Sequence, residues 1–159
     1  MRILGAVQLG SGSKVGERAA IRADEGSPII IGEDAEIEER VTFHVLKDTN
    51  IEAGDNLTVG DDSVIHGPAE IGDNVTVGDD SVVFVVRVGN DVVIGDDVTI
   101  QGPPSEDGEM ELEIPDGASI PDGAVITTQE EFDALAEQQE PQQGQENENE
   151  KGKENEEEK

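Results

Sequence analysis

Aliphatic residues recur at six-residue intervals along this chain, and the interval predicts the fold. The positions are Leu9, Val15 and Ile21; Ile31, Ile37 and Phe43; Ala53, Val59 and Ile65; Ile71, Val77 and Val83; Val88, Ile94 and Ile100. Glycine and polar residues stand between them. A period of six is neither helical nor a plain strand alternation. Self-similarity at a fixed period marks a solenoid, whose units bury their apolar faces only by stacking. Three units per turn give an all-β, triangular parallel β-helix, with three short walls and about 18 residues per coil. Branched Val and Ile suit the walls. Gly10, Gly32, Gly54, Gly72 and Gly89 follow the first unit's aliphatic residue, and Gly16, Gly60, Gly78 and Gly95 the second's. Their expected task is the positive φ that tight corners can require.

The third unit has no such glycine. Its column reads Arg22, His44, His66, Phe84 and Gln101, so one corner carries side chains where the other two mostly carry none. Extra residues follow that corner between Ile21 and Ile31, between Phe43 and Ala53, and after Ile100, where Gly102–Glu113 is inserted. Insertions that share a corner often mark a solenoid's binding face. Residues 1–8 lead into the first coil, and the repeat resumes weakly at Ile114 and Ile120.

The period then changes. Thr127-Thr128-Gln129-Glu130-Glu131 offers a capping box, and Phe132, Leu135 and Ala136 form a helical stripe. This divides the chain into a β-helix over residues 1–128, a short C-terminal α-helix over 129–140 packed on the solenoid, and a tail over 141–159. The tail has no apolar side chain beyond Gln142 and is expected to be disordered.

Charge narrows the partners. The chain of 159 residues has a formal net charge of -29. Residues 129–159 carry -9 of it and residues 1–128 the other -20, so the folded body is itself acidic. Such a surface repels itself at low salt and is relieved at molar salt, where the Debye length falls to about 3 Å. Adaptation to a saline cytoplasm is one reading; a merely very soluble acidic protein is the other. Nucleic acid and anionic membranes are poor partners for it. There is no cysteine, which removes disulfides and thiolate metal sites. No stretch reads as a signal peptide or a membrane span, so a cytoplasmic location is expected.

His44 and His66 are the only histidines, and they fall 22 residues apart at one column position. One 18-residue coil plus a four-residue insertion makes 22, so they stack on adjacent coils about 4.8 Å apart. Two imidazoles at that spacing can converge on one cation. The alternative is a pair of ordinary surface histidines. A catalytic zinc usually takes a third protein ligand, and carboxylate is the other plentiful donor here.

The phrases Arg22-Ala23-Asp24-Glu25-Gly26, Phe43-His44-Val45-Leu46 and His66-Gly67-Pro68, with Ile114-Pro115-Asp116-Gly117 and Ile126-Thr127-Thr128-Gln129, resemble the gamma-class carbonic anhydrases. The resemblance covers most of residues 9–135. It implies a left-handed β-helix, a homotrimer, and a divalent metal (zinc or iron) between subunits for reversible hydration of CO2 to bicarbonate. It makes His44 and His66 two of the metal ligands. It gives Arg22 and Asp24 to the trimer interface and makes Glu25 a proton relay, although a Glu at a loop start is usually just solvated. Departures stand beside it. Asp61 occupies the position of the family's remaining ligand histidine, and Glu36 and Glu38 align with its active-site Asn and Gln. Asp61 is then either a carboxylate ligand or a turn former, since Val59-Gly60-Asp61-Asp62 recurs as Val77-Gly78-Asp79-Asp80 and Ile94-Gly95-Asp96-Asp97. Glu38 breaks its glycine column and either faces the site as a catalytic group or belongs to a Glu-rich surface. Two other functions stay open: a hexapeptide-repeat acyltransferase, and a non-catalytic trimeric metal-binding or scaffold protein.

Overall fold

A computed structural model describes residues 1–104 and 110–138. It is a β-solenoid of parallel strands, followed by one short helix over residues 129–138. Chain contacts divide it into a unit of Met1–Gln129 and a second of Glu130–Lys159, the latter described through its helix. The insertion residues 105–109, the end of the expected helix at 139–140 and the acidic tail 141–159 lie outside the described residues. Among the described residues, no helix is long and apolar enough to cross a membrane.

The hexapeptide columns become walls. The second wall is a six-stranded sheet made of Lys14–Val15, Glu36–Ile37, Thr58–Val59, Thr76–Val77, Val93–Ile94 and Ser119–Ile120. The third wall stacks Arg2–Gly5, Ala20–Ala23, Thr42–His44, the start of Val64–Ile71, the start of Val82–Val88, Thr99–Gln101 and Val125–Ile126. Residues 2–5 are therefore a rung, not only a lead-in, and the chain beyond Ile114 completes a further coil. The column Ile21, Phe43, Ile65, Val83, Ile100 is 0% exposed throughout, an aliphatic stack with one large ring, Phe43, in it.

The corners correct one expectation. The repeat glycines are not the residues with positive φ. That conformation falls two positions later, at Asp34, Asn56, Asn74 and Asp91 on one corner and at Arg18, Arg40, Asp62, Asp80 and Asp97 on the next. Asp and Asn tolerate it better than other side chains because their short polar groups bond locally. The glycines are needed for close approach instead. A Cβ on Gly60 would lie 2.9 Å from both the Asp79 nitrogen and the Gly78 carbonyl carbon of the next coil.

The residue after each glycine position explains that approach. Asp61 Oδ1 accepts from the backbone N–H of Glu39 at 3.0 Å, Asp79 Oδ1 from Asp61 at 2.8 Å, Asp96 Oδ1 from Asp79 at 2.8 Å, and Asp122 Oδ1 from Asp96 at 2.8 Å. A parallel ladder of Asp55, Asp73, Asn90 and Asp116 climbs the neighbouring corner. Each rung gives an otherwise open corner N–H a partner. A shorter serine ladder runs inside: Ser63 Oγ accepts from Ser81 N–H at 3.0 Å, and Ser81 Oγ accepts from Val98 N–H at 3.1 Å.

The third corner is different. Extra residues leave it after Ile21 and Phe43, whereas Val64–Ile71 and Val82–Val88 run round it unbroken. Between them the register slips, because Val85 alone opposes Gly67 and Pro68. Val85 takes up the slip with φ 55, a left-handed conformation that a β-branched residue strongly disfavours.

Candidate metal centre

The non-glycine column sits on the third wall at this corner. Parallel pairing sets Arg22 opposite His44, His44 opposite His66, His66 opposite Phe84, and Phe84 opposite Gln101. The histidines therefore stack as their spacing predicts. Their ring centroids are 5.1 Å apart with the planes at 87°, and the His66 and Phe84 centroids are 4.4 Å apart with the planes at 62°. Phe84 packs against the His66 imidazole.

Each ring has a distinct environment. His66 Nδ1 lies 2.9 Å from the Gly67 carbonyl oxygen. A carbonyl only accepts, so in the neutral imidazole this contact favours the proton on Nδ1 and leaves Nε2 with its lone pair. The same arrangement orients metal-bound histidines in general. His44 has a side chain only 19% exposed, with its Nε2 3.4 Å from Glu25 Oε2 and 3.7 Å from Asp24 Oδ1. Asp24, Glu25 and His44 present donor atoms within 4.8 Å of one another. The segment carrying Asp24 and Glu25 follows the strand Ala20–Ala23, so the first insertion folds its carboxylates onto the next coil's histidine.

Arg22 and Asp24, expected at a subunit interface, pair with each other inside the chain at 3.1 Å. Hydrogen bonding to Arg22 is the chief reason the Asp24 carboxyl is held below its ordinary range. Both side chains remain partly open to solvent, which limits what the pair adds to stability.

Glu38 and Asp61 stand elsewhere in the same chain. They follow the second wall, at the aspartate-ladder corner, whereas the histidines close the third wall. With Asp79 they form a second carboxylate group within 4.8 Å. Slight desolvation, then the charges of Asp61 and Asp79, push the exposed Glu38 carboxyl above its usual range. Asp61 already holds the Glu39 N–H through Oδ1, the bond its repeat equivalents make. Asp79 was not singled out by sequence reasoning. The signal was present in its 18-residue offset from Asp61. The Gly67 carbonyl was also missed, because no side chain marks it.

The donor chemistry of the histidine corner suits a borderline cation. Imidazole with carboxylate is a ligand set used for zinc and for iron, and it is unlike the all-oxygen sets of calcium or magnesium.

No family model matches the chain. It is 31% identical over 154 residues to the carbonic anhydrase of Methanosarcina thermophila, covering 85% of this chain and 59% of that protein. It is 34% identical over 145 residues to the carboxysome assembly protein CcmM of Synechococcus elongatus, covering 85% of this chain but 25% of that longer protein. A 72-residue stretch, 41% of this chain and 25% of the relative, is 38% identical to the mitochondrial gamma carbonic anhydrase 2 of Arabidopsis thaliana. The chain thus spans under two thirds of the length of each. Hexapeptide solenoid, stacked histidines and these relatives together make it a gamma carbonic anhydrase-like member of the hexapeptide-repeat β-helix family.

Proposed function

We propose that this protein catalyses the metal-dependent, reversible hydration of CO2 to bicarbonate, at a site built on His44 and His66 where subunits of a homotrimer meet. The observation that carries the reading is the histidine stack, with His66 Nε2 left free by the Gly67 carbonyl and His44 Nε2 turned towards carboxylates. A divalent zinc or iron held there supplies the Lewis acidity that makes water a nucleophile near neutral pH. Oxygen from water bonds to the carbon of CO2, and one proton leaves for solvent.

The chain's own groups have defined parts. His44 and His66 hold the cation. Phe84 backs the His66 ring. Carboxylates supply the third donor and carry the proton; the candidates are Asp24 and Glu25 at the same corner, and Glu38 and Asp61 brought in by a neighbouring subunit. Arg22 and Asp24 are exposed enough to exchange their mutual bond for one across the trimer interface. The acidic body suits a saline cytoplasm, where salt screens its self-repulsion.

A scaffold role is the second reading. Similarity to proteins described as carboxysome assembly proteins favours it, as does the aspartate at position 61. Metal analysis separates the two. Protein purified in molar KCl and reconstituted with zinc or iron should bind about one metal per chain, and His44→Ala should bind none. Equal metal content in both proteins supports the scaffold and rejects the enzyme.

A further inference from the structure

We infer that the third corner carries a second binding site, a cavity that takes a small amphiphilic amine: an apolar group bearing one ammonium. The inference stands independently of the metal reading. The cavity, of about 330 Å³, opens where the insertion after Phe43 meets the unbroken strands Val64–Ile71 and Val82–Val88. That volume is in the range of small-molecule sites. Leu46, Pro68, Phe84, Val85 and Met110 supply its apolar lining. Val85 and Met110 are 7% and 8% exposed and Leu46 is 38% exposed, so the lining runs from a buried floor to an open lip. Insertions that share a corner often mark a solenoid's binding face, and this cavity lies at that corner.

The walls are held in place without an occupant. The Leu46 N–H donates to Thr49 Oγ1 at 3.1 Å, and Thr49 Oγ1 donates back to the Leu46 carbonyl at 2.7 Å, which closes a short turn. Ser27 Oγ accepts from the Asp48 N–H at 2.9 Å, and the Asn50 carbonyl accepts from the Ala69 N–H at 3.1 Å, so the turn is tied to the preceding and following coils. Val85 lines the cavity with φ 55, and backbone strain of this kind gathers at ligand sites. Charge selects the ligand. Glu70 and Arg87 at the rim pair with each other at 3.5 Å. Asp48, also at the rim, has no ion-pair partner among the described residues. One negative charge is therefore uncompensated, and a body with a net charge of -20 repels anions. An ammonium beside Asp48 offsets that charge while its apolar group lies on the Phe84 and Val85 lining. Phe84 also packs on His66, with centroids 4.4 Å apart, so an occupant is felt at the histidine stack.

Methyl and imidazole NMR of the full chain in molar KCl tests this, with phenethylamine as the probe and phenethyl alcohol and hydrocinnamate as its neutral and anionic counterparts. Phenethylamine should shift the Leu46, Val85 and Met110 methyls together with the His66 ring, with a Kd of about 1 mM, as suits a ligand of so few atoms. The alcohol should bind more weakly and hydrocinnamate most weakly of the three. Asp48→Asn keeps a residue that tolerates the left-handed turn at φ 63, so the fold is retained. It should weaken the amine about threefold and leave the alcohol unchanged. Leu46→Ser should weaken both. Three results would each overturn the inference: no shift of these methyls at about 10 mM phenethylamine, hydrocinnamate binding as tightly as the amine, or wild-type affinity for the amine in Asp48→Asn. Binding that leaves the His66 ring unshifted would overturn the link to the histidine stack.

Discussion

Replacing Ser81 with alanine isolates the polar ladder inside the solenoid. Ser81 is 0% exposed, its Oγ accepts from the Val98 N–H at 3.1 Å, and it donates to the Gly95 carbonyl at 2.8 Å. Alanine fills nearly the same volume, so the cavity contribution is small. What remains is a buried N–H and a part-buried carbonyl deprived of their shared partner. Leaving one buried donor unsatisfied costs about 1–3 kcal/mol. The carbonyl, with a second lone pair, adds less, so the expected loss is about 2 kcal/mol. That is a sizeable part of a total stability of roughly 5–15 kcal/mol. For a chain of this size it lowers Tm by roughly 4–8 °C. Denaturant melts in molar KCl give the free energy, and amide hydrogen exchange shows whether the Val98 N–H loses protection. A loss under about 0.5 kcal/mol with Val98 still protected would refute the ladder as a stabilising element.

Four further outcomes follow from the same structure. Asp79→Asn should leave Tm unchanged while Asp79→Ala lowers it, because Asn90 already performs the ladder's task in the neighbouring column; equal melts for both variants would deny the Oδ1 bond. Gly102→Ala should destabilise the chain strongly, since its methyl would collide with the Val85 carbonyl and press on Leu112 Cβ at 3.0 Å; an unshifted melt would mean the corner yields freely. The Glu38 carboxyl is raised in the folded chain, so folding favours its protonated form. The associated stability is present below the ordinary carboxylate range and lost as pH rises through the raised value. Glu38→Gln should therefore raise Tm at pH 7 and lose that advantage in acid, and a constant gain at every pH would contradict the assignment. Finally, with a net charge of -29, Tm should climb as KCl increases from 0.1 to 1 M, as the Debye length shrinks from about 10 to about 3 Å; a flat profile would remove the saline reading.

The walls were legible because burial imposes a period. Ile21, Phe43 and Ile65 share a column in the sequence and lie in one buried stack in the structure. The histidine stack was legible for the same reason, since 22 residues equal one coil plus its insertion. What escaped were contacts running along the solenoid axis. Asp61 reads locally as a turn residue, and nothing near it in sequence shows that its acceptor bond goes to residue 39, one coil back. Gly60 likewise reads as a turn former, although its missing Cβ serves the approach of Asp79. The left-handed corner residue, Asp62 in that repeat, is two places further on. Glu25 was assigned from family position. Its distance from His44 depends on how the insertion folds back, which no repeat governs.

CO2 hydration by the metal-reconstituted protein in molar KCl, followed by stopped-flow pH change, tests the central claim most directly. Wild type should hydrate CO2 well above the buffer rate, with activity removed by chelation, restored by zinc or iron, and absent in His66→Ala. A fully metal-loaded wild type that hydrates CO2 no faster than His66→Ala would contradict the account.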